Sequence, residues 1–287
     1  MKFFSATLEE LASRTTDEAW LRILSKAANA PTIKGVRFPA SPAPEWQSAF
    51  VGSSGVSALQ EAFKFYQFIK AQAAHHGRPL DRMSRVLDFG CGWGRYIRFF
   101  MKCIDSTNLF GVDVDPDMIG FCKISGLPAQ FATVPPLGPT AFEAKSFDLI
   151  YAYSVFSHLS EPAHLAWLQE FSRLLRPGGL LVATTQARHF MDHVQAVKRK
   201  PPDTRSDWER SLCIGFPDAT EVLAAYDRGE FVFAATGGGD HRPSSFYGEA
   251  LIPRSYIERR WSPDLRLVEF IEDRNRFSQA VAVLQAR

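Results

Sequence analysis

Apolar residues recur at helical spacing over 7–28 (Leu8, Leu11, Trp20, Leu21, Ile23, Leu24) behind an acidic start, and predict an amphipathic helix there. The same period returns over 56–76 through Val56, Leu59, Phe63, Tyr66, Phe68 and Ile69. Between the two, Pro31, Pro39, Pro42 and Pro44 interrupt any regular run, so 31–54 is expected to be a surface loop. From Arg85 the pattern changes to short apolar runs alternating with helical ones. Strands are expected at 86–89, 109–112 (ending in Asp113), 129–133, 147–152 and 179–185, the last after an Arg176-Pro177-Gly178-Gly179 turn. Helices are expected at 95–103, 116–124 and 160–175. This alternation implies a doubly wound parallel α/β sheet with helices on both faces.

The tail departs from the alternation. Runs at 265–272 and 279–284 are separated by only a few polar residues, a gap that permits only an antiparallel pair. Between the fifth strand and this pair lies an insertion, 186–252, in which 230–236 and 245–252 are expected to pair around Gly237-Gly238-Gly239-Asp240.

Charge narrows the partners. With 33 Lys+Arg against 31 Asp+Glu, a net charge of +2, the chain has no global attraction to nucleic acid or to an anionic membrane. Cys91, Cys103, Cys122 and Cys213 form no CxxC pair, which argues for a reducing compartment and against a disulfide scaffold or zinc ribbon. No stretch approaches the roughly 20 apolar residues of a membrane span. Met1-Lys2-Phe3-Phe4 begins like a secretory signal, but Glu9, Glu10 and Arg14 end the apolar run, so a soluble cytoplasmic protein is expected.

The strongest chemical signal is Val86-Leu87-Asp88-Phe89-Gly90-Cys91-Gly92-Trp93-Gly94-Arg95. Glycines at a strand–helix turn let the backbone approach a ligand closely. A dinucleotide fingerprint needs a third small residue at 95, where this chain has Arg95. Asp88, just before the loop, opposes a pyrophosphate and suits a cationic ligand such as a sulfonium bearing an α-amino group. Asp113 is the expected carboxylate for ribose hydroxyls, and Asp115, followed by Pro116, reads as a helix N-cap.

At these residues the chain resembles the class I S-adenosylmethionine-dependent methyltransferases. Four blocks carry the resemblance: VLDFGCGWG (86–94), FGVDVDPDMI (110–119), FDLIYAYSVFSHL (147–159) and LLRPGGLLVAT (174–184). It implies a seven-stranded sheet of order 3-2-1-4-5-7-6 with the last strand antiparallel, and S-adenosylmethionine as cofactor. It further implies that Asp88, Gly90, Cys91 and Gly92 line the methionine moiety and that Asp113 binds the ribose. Val114 would lie against adenine, while Tyr153 and Ser154 would bind the cofactor at the border of its methionine and the methyl-transfer path. The acidic residue that similar enzymes often carry after the third strand is missing from Phe131-Ala132-Thr133, leaving Thr133 or the backbone for the adenine. The implied organisation is a helical extension over 1–79, a cofactor-binding core over 80–185, an inserted cap over 186–252, and a helix and hairpin over 253–287 completing the sheet.

Methyl transfer to a hydroxyl needs a base, and His158, just after the fourth strand, is the candidate. His189 and His193 share a helical face at i, i+4, yet lack a third ligand; no carboxylate stands at 151–155, and no metal is expected. The glycine run at 237–239 precedes no evident helix and reads as a hairpin tip, and Lys198-Arg199-Lys200 as a solvated face. An Asn/Asp-Pro-Pro-aromatic motif after the fourth strand is missing, which disfavours base methylation. The expected function is O-methylation of a small-molecule acceptor; a non-catalytic cofactor-binding module and a protein-directed methyltransferase are the alternatives. Of the 24 Phe, most are expected in the core, with those at 63, 65, 68, 231, 233 and 246 candidates for the wall of an apolar acceptor pocket.

Overall fold

Two threonines cut the N-terminal helical pattern in two. In the computed structural model, which describes residues 7–261 and 263–287, Thr7 and Glu10 form a reciprocal capping box that starts the helix Leu8–Ser13. Thr16 then accepts from the Ala19 amide and starts a second helix, Asp17–Ala27. The single helix expected over 7–28 is therefore two, because a second N-cap stands inside the apolar period. The Met1–Phe4 stretch lies outside the described residues.

The expected loop over 31–54 is also partly ordered. It holds a short antiparallel hairpin, Thr32–Ile33 with Val36–Arg37, and a helix Pro44–Val51 with proline at its start and Gly52 ending it at φ 73°. Here Pro44 opens a helix, since its missing N–H would be unpaired in the first turn anyway. The next helix, Gly55–His75, buries Leu59, Phe63, Phe65, Tyr66, Phe68 and Ile69.

Seven strands are numbered in chain order: β1 Val86–Phe89, β2 Leu109–Asp113, β3 Gln130–Thr133, β4 Phe147–Ala152, β5 Leu175–Thr185, β6 Leu265–Ile271 and β7 Ala280–Ala286. They form one sheet of order 3-2-1-4-5-7-6. β1–β2 and β2–β3 are parallel, whereas β7 runs antiparallel to both β5 and β6. β5 begins earlier than expected and runs straight through Arg176-Pro177-Gly178-Gly179, with Gly178 at φ 78° absorbing the local distortion. After the glycine loop the regular helix is confined to Ile97–Phe100, shorter than the 95–103 expected.

The chain divides into two compact units: residues to 133 with 147–149, and 134–146 with 150–287. In the first, the N-terminal helices are tied to the backbone that follows the glycine loop. Trp20, fully buried, donates its indole N–H to the Arg98 carbonyl at 2.8 Å, and Lys102 donates to the Ala12 and Thr15 carbonyls. Gly111 in β2 lies beneath Phe131 of β3, its register partner. A Cβ there would come within 2.9 Å of Ile97 Cδ1 and of two Phe131 ring atoms. Gly111→Ala is accordingly expected to destabilise the protein by about 1–3 kcal/mol through overpacking, seen as a lowered thermal midpoint; an unchanged midpoint contradicts the packing assignment.

In the second unit the insertion is mainly helical, with Phe190–Arg199, Asp207–Gly215 and Ala219–Asp227. The expected hairpin does form, as Val232–Ala234 antiparallel to Glu249–Leu251. Met191, Val194, Leu212, Phe216, Val222, Tyr226, Ala234 and Leu251 make a local core that fastens the hairpin to these helices.

Candidate functional site

The glycine loop is built by its backbone. Gly90, Gly92 and Gly94 all take left-handed φ values (74°, 50° and 74°), which residues with a Cβ adopt only with strain. The Gly90 and Cys91 amides both donate to the Val112 carbonyl, at 2.8 and 3.0 Å, fastening the loop to β2. Asp113, at the end of β2, then clamps the turn: Oδ2 accepts from the Gly92 amide at 2.9 Å and Oδ1 from the Asp115 amide at 3.0 Å. A carboxylate oxygen can accept more than one hydrogen bond.

Gly92 and Gly94 differ in what surrounds them. A Cβ on Gly94 would strike Leu127 Cδ1 at 2.6 Å, so that residue faces the core, whereas one on Gly92 meets nothing within 4 Å. Gly92 is thus the point at which the loop opens outward. Asp88 is buried in β1 and Cys91 is buried in the loop. Burial, reinforced by Cys122 and by the carboxylates of Asp88 and Asp113, pushes the Cys91 thiol up, which keeps it neutral. The Cys122 thiol donates to the Gly92 carbonyl at 3.2 Å. Thr133 is the register partner of Asp113 across β2–β3 and is exposed, and Val114 is half-buried. Asp115 is the N-cap expected for it, accepting from the Asp117 and Met118 amides. Arg95, which breaks the dinucleotide fingerprint, is buried and pairs with Glu61 at 2.5 Å on the helix Gly55–His75.

A second cluster belongs to the second unit. Tyr153 is buried, and Ser154 follows it at φ 56°, a strained value for a residue with a side chain. The Ser154 amide donates to Thr184 Oγ1 at 2.7 Å, and Gln279 Nε2 donates to the hydroxyls of Ser154 and Ser157 at 3.1 and 3.2 Å. His158 Nε2 lies 3.3 Å from Ser154 Oγ. Its other nitrogen, Nδ1, is 2.9 Å from the Gly248 carbonyl and 3.5 Å from Glu249 Oε2. The ring stacks on Tyr247 at 5.0 Å and 8°.

The backbone explains why these groups meet. The segment 157–160 pairs with 246–250: the Gly248 amide donates to the His158 carbonyl and the Ala250 amide to Ser157, both at 2.7 Å. Burial alone would pull the His158 pKa down, but the charge and hydrogen bond of Glu249 and the Gly248 carbonyl outweigh it and raise it. His164, on the next helix, shows the opposite balance: fully buried among Phe156, Phe231 and Trp261, it falls to about 4 and stays neutral.

The structure engages His189 and His193 separately. His189 Nε2 meets the Ser278 carbonyl at 3.0 Å, and His193 stacks on Trp208. Sequence reasoning missed Glu249, Thr184 and Gln279. Glu249 opens the second strand of the hairpin, whose other neighbour, the segment 157–160, is remote in sequence, and Gln279 stands just before the last strand; neither carries a local motif.

Comparison with known proteins bears on the loop. A family profile described as a methyltransferase domain matches residues 86–179, the span from β1 through the start of β5. Residues 86–179 thus carry the sequence pattern of a methyltransferase domain. The chain is 27% identical to a malonyl-[acyl-carrier protein] O-methyltransferase of Hahella chejuensis, over 60% of its own length and 67% of the relative's. It is 29% identical to a trans-aconitate 2-methyltransferase of Azoarcus sp., over 43% of its length and 47% of the relative's. The chain thus spans roughly half to two thirds of the curated relatives it matches. In fold it is similar to an S-adenosylmethionine-dependent methyltransferase of Clostridium acetobutylicum, with a TM-score of 0.51 and 14% identity over 78% of this chain and 91% of that one.

The methyltransferase of similar fold is S-adenosylmethionine-dependent, and the residues of the loop fit that cofactor. Gly92 leaves open space where a side chain would stand, Asp113 has acceptor capacity for hydroxyls, and no cation lies in the loop between Asp88 and Gly94 to oppose a sulfonium. Among the described residues, no helix is long and apolar enough to cross a membrane.

Proposed function

We propose that the protein is a methyltransferase that uses S-adenosylmethionine to methylate an oxygen of a small-molecule acceptor. The carrying observation is the clamp of Asp113 on Gly92 beneath an open loop surface. In this reading Asp88, Gly90, Cys91 and Gly92 line the methionine portion, Asp113 accepts from the ribose hydroxyls, and Val114 and Thr133 border the adenine. Tyr153 and Ser154 border the reacting methyl. The bound cofactor supplies a methyl group on a positively charged sulfur that leaves as a neutral thioether, so orientation and exclusion of water are the main demands on the protein.

His158 is the proposed general base, accepting the proton of an acceptor hydroxyl at Nε2. The raised basicity conferred by Glu249 supports that role, and it favours an alcohol or phenol over a carboxylate, which needs no base. Curated relatives include O-methyltransferases of malonyl-[acyl-carrier protein] and of ubiquinone biosynthesis, which supports oxygen as the acceptor atom. The near-balanced charge supports a small molecule over nucleic acid. The four unpaired cysteines support a cytoplasmic site of action, and the helical insertion over 186–252 a cap on the acceptor.

Isothermal titration of the full chain with S-adenosylmethionine and S-adenosylhomocysteine is the direct test. Saturable binding of both in the micromolar range is expected, abolished in Gly92→Val, whose side chain would project from the open loop surface. No heat from either ligand at high micromolar concentration overturns the reading.

A further inference from the structure

His158 has an environment that selects one of its two neutral tautomers. Nδ1 faces two groups that can only accept, the Gly248 carbonyl at 2.9 Å and the ionised Glu249 carboxylate at 3.5 Å, so Nδ1 must carry the proton. Nε2 then has its lone pair free and directed toward Ser154 Oγ at 3.3 Å. Gln279 Nε2 donates to one lone pair of the Ser154 oxygen, and with Nδ1 protonated the serine's own proton is the donor toward His158 Nε2. The acceptors at Nδ1 set the assignment, and Ser154 on the other side of the ring is compatible with it.

Glu249 itself is anchored as a residue with a fixed task would be. Only 2% exposed, it receives Gln186 Nε2 on Oε2 at 2.8 Å and Trp208 Nε1 on Oε1 at 3.0 Å. These donors, with His158, hold its carboxyl below the ordinary range although burial pushes the other way. A buried carboxylate with no charged partner is costly, whereas one satisfied by two neutral donors and directed at an imidazole is a stable device. The fold brings it there through the hairpin register: Glu249 pairs with Ala234, and the adjacent Gly248 exchanges hydrogen bonds with the His158 backbone and ring.

We propose that Glu249 is a positioning residue for His158, holding the proton on Nδ1 and presenting Nε2 as the proton acceptor. The proposal rests on the reading of His158 as the base and adds the group that makes it one. With the cofactor bound, the acceptor O–H proton would pass to Nε2 as the oxygen bonded the methyl carbon and the sulfur left as a neutral thioether. The resulting imidazolium, protonated on both nitrogens, is stabilised by the Glu249 charge. The other groups facing the ring are Tyr247, stacked on it, and Arg242, whose positive charge opposes protonation.

The test needs no knowledge of the acceptor. In full-length protein labelled with 15N at histidine, the His158 resonances are assigned by their loss in His158→Asn and followed from pH 5 to 10. In the native protein the Nδ1–H tautomer is expected above the midpoint; an Nε2–H tautomer overturns the proposal. In Glu249→Gln the midpoint is expected to fall by at least about one pH unit, because burial is then opposed by the Gly248 carbonyl alone, and Glu249→Asp is expected to recover part of it. A midpoint unchanged in a folded Glu249→Gln overturns the proposal, and where that variant does not fold, the native tautomer and Glu249→Asp decide. Full methyl transfer by His158→Ala would remove the base reading instead, leaving the His158–Glu249 titration as measured.

Discussion

Replacing His158 by alanine is expected to lower kcat for methyl transfer by roughly 10²- to 10⁴-fold, the usual contribution of a positioned general base. The cofactor's dissociation constant should stay near that of the native protein, because the glycine loop and Asp113 are untouched. The pH profile carries the more discriminating information. The base works in its neutral form and its pKa is raised above the ordinary histidine value, so kcat/KM should climb with pH through that raised value. The climb should vanish in the alanine variant, leaving a flat, low rate. The same raised pKa contributes stability that is fully present below about pH 6.5, the unfolded histidine value, and is lost as pH rises through the folded value. Stability and activity therefore respond to pH in opposite directions at this residue. Near-native turnover with the same acid limb in His158→Ala would remove the assignment.

Asp113→Ala should affect binding rather than chemistry. Each hydrogen bond from a ribose hydroxyl to a carboxylate contributes about 1.5–3 kcal/mol, so losing two weakens S-adenosylhomocysteine binding by roughly 10²- to 10⁴-fold. The substitution also strips acceptors from the Gly92 and Asp115 amides. The thermal midpoint should consequently fall even without ligand, which distinguishes Asp113 from a residue that only touches the cofactor. Asp113→Asn retains a carbonyl for one amide and should give intermediate values in both measurements. Calorimetry and thermal melts of the two variants check the assignment, and an Asp113→Ala protein that binds S-adenosylhomocysteine like the native one refutes it.

The parts legible in the sequence were those with a local cause. Short apolar runs alternating with helical ones gave β1 to β5, the short gap between β6 and β7 gave their antiparallel pairing, and the glycines at 90–94 announced a tight loop after β1. What stayed hidden depended on partners far away in the chain. A periodicity argument could not see the break at Thr16, because a capping hydroxyl leaves the apolar period intact on either side. The helix at Pro44–Val51 was masked by its own prolines, which mark a start as readily as a stop. Glu249 could not be read at all: its significance comes from Ser157 to Ser160 pairing with the strand that carries it, some ninety residues later. The histidine was found by its place after a strand, and its partner only by the fold.

The scattered origin of the His158 environment has a kinetic consequence. Ser154, Thr184, Gln186, Trp208, Glu249 and Gln279 come from stretches up to 125 residues apart, and contacts between such distant stretches form late because their loops must close first. On the ribosome, Gln279 is made after every other member of the network. A nascent chain can therefore complete its glycine loop well before it holds a positioned base, and cofactor-binding competence should precede catalytic competence during refolding. The order of these two events, followed by ligand fluorescence and by turnover, is a property of the topology itself.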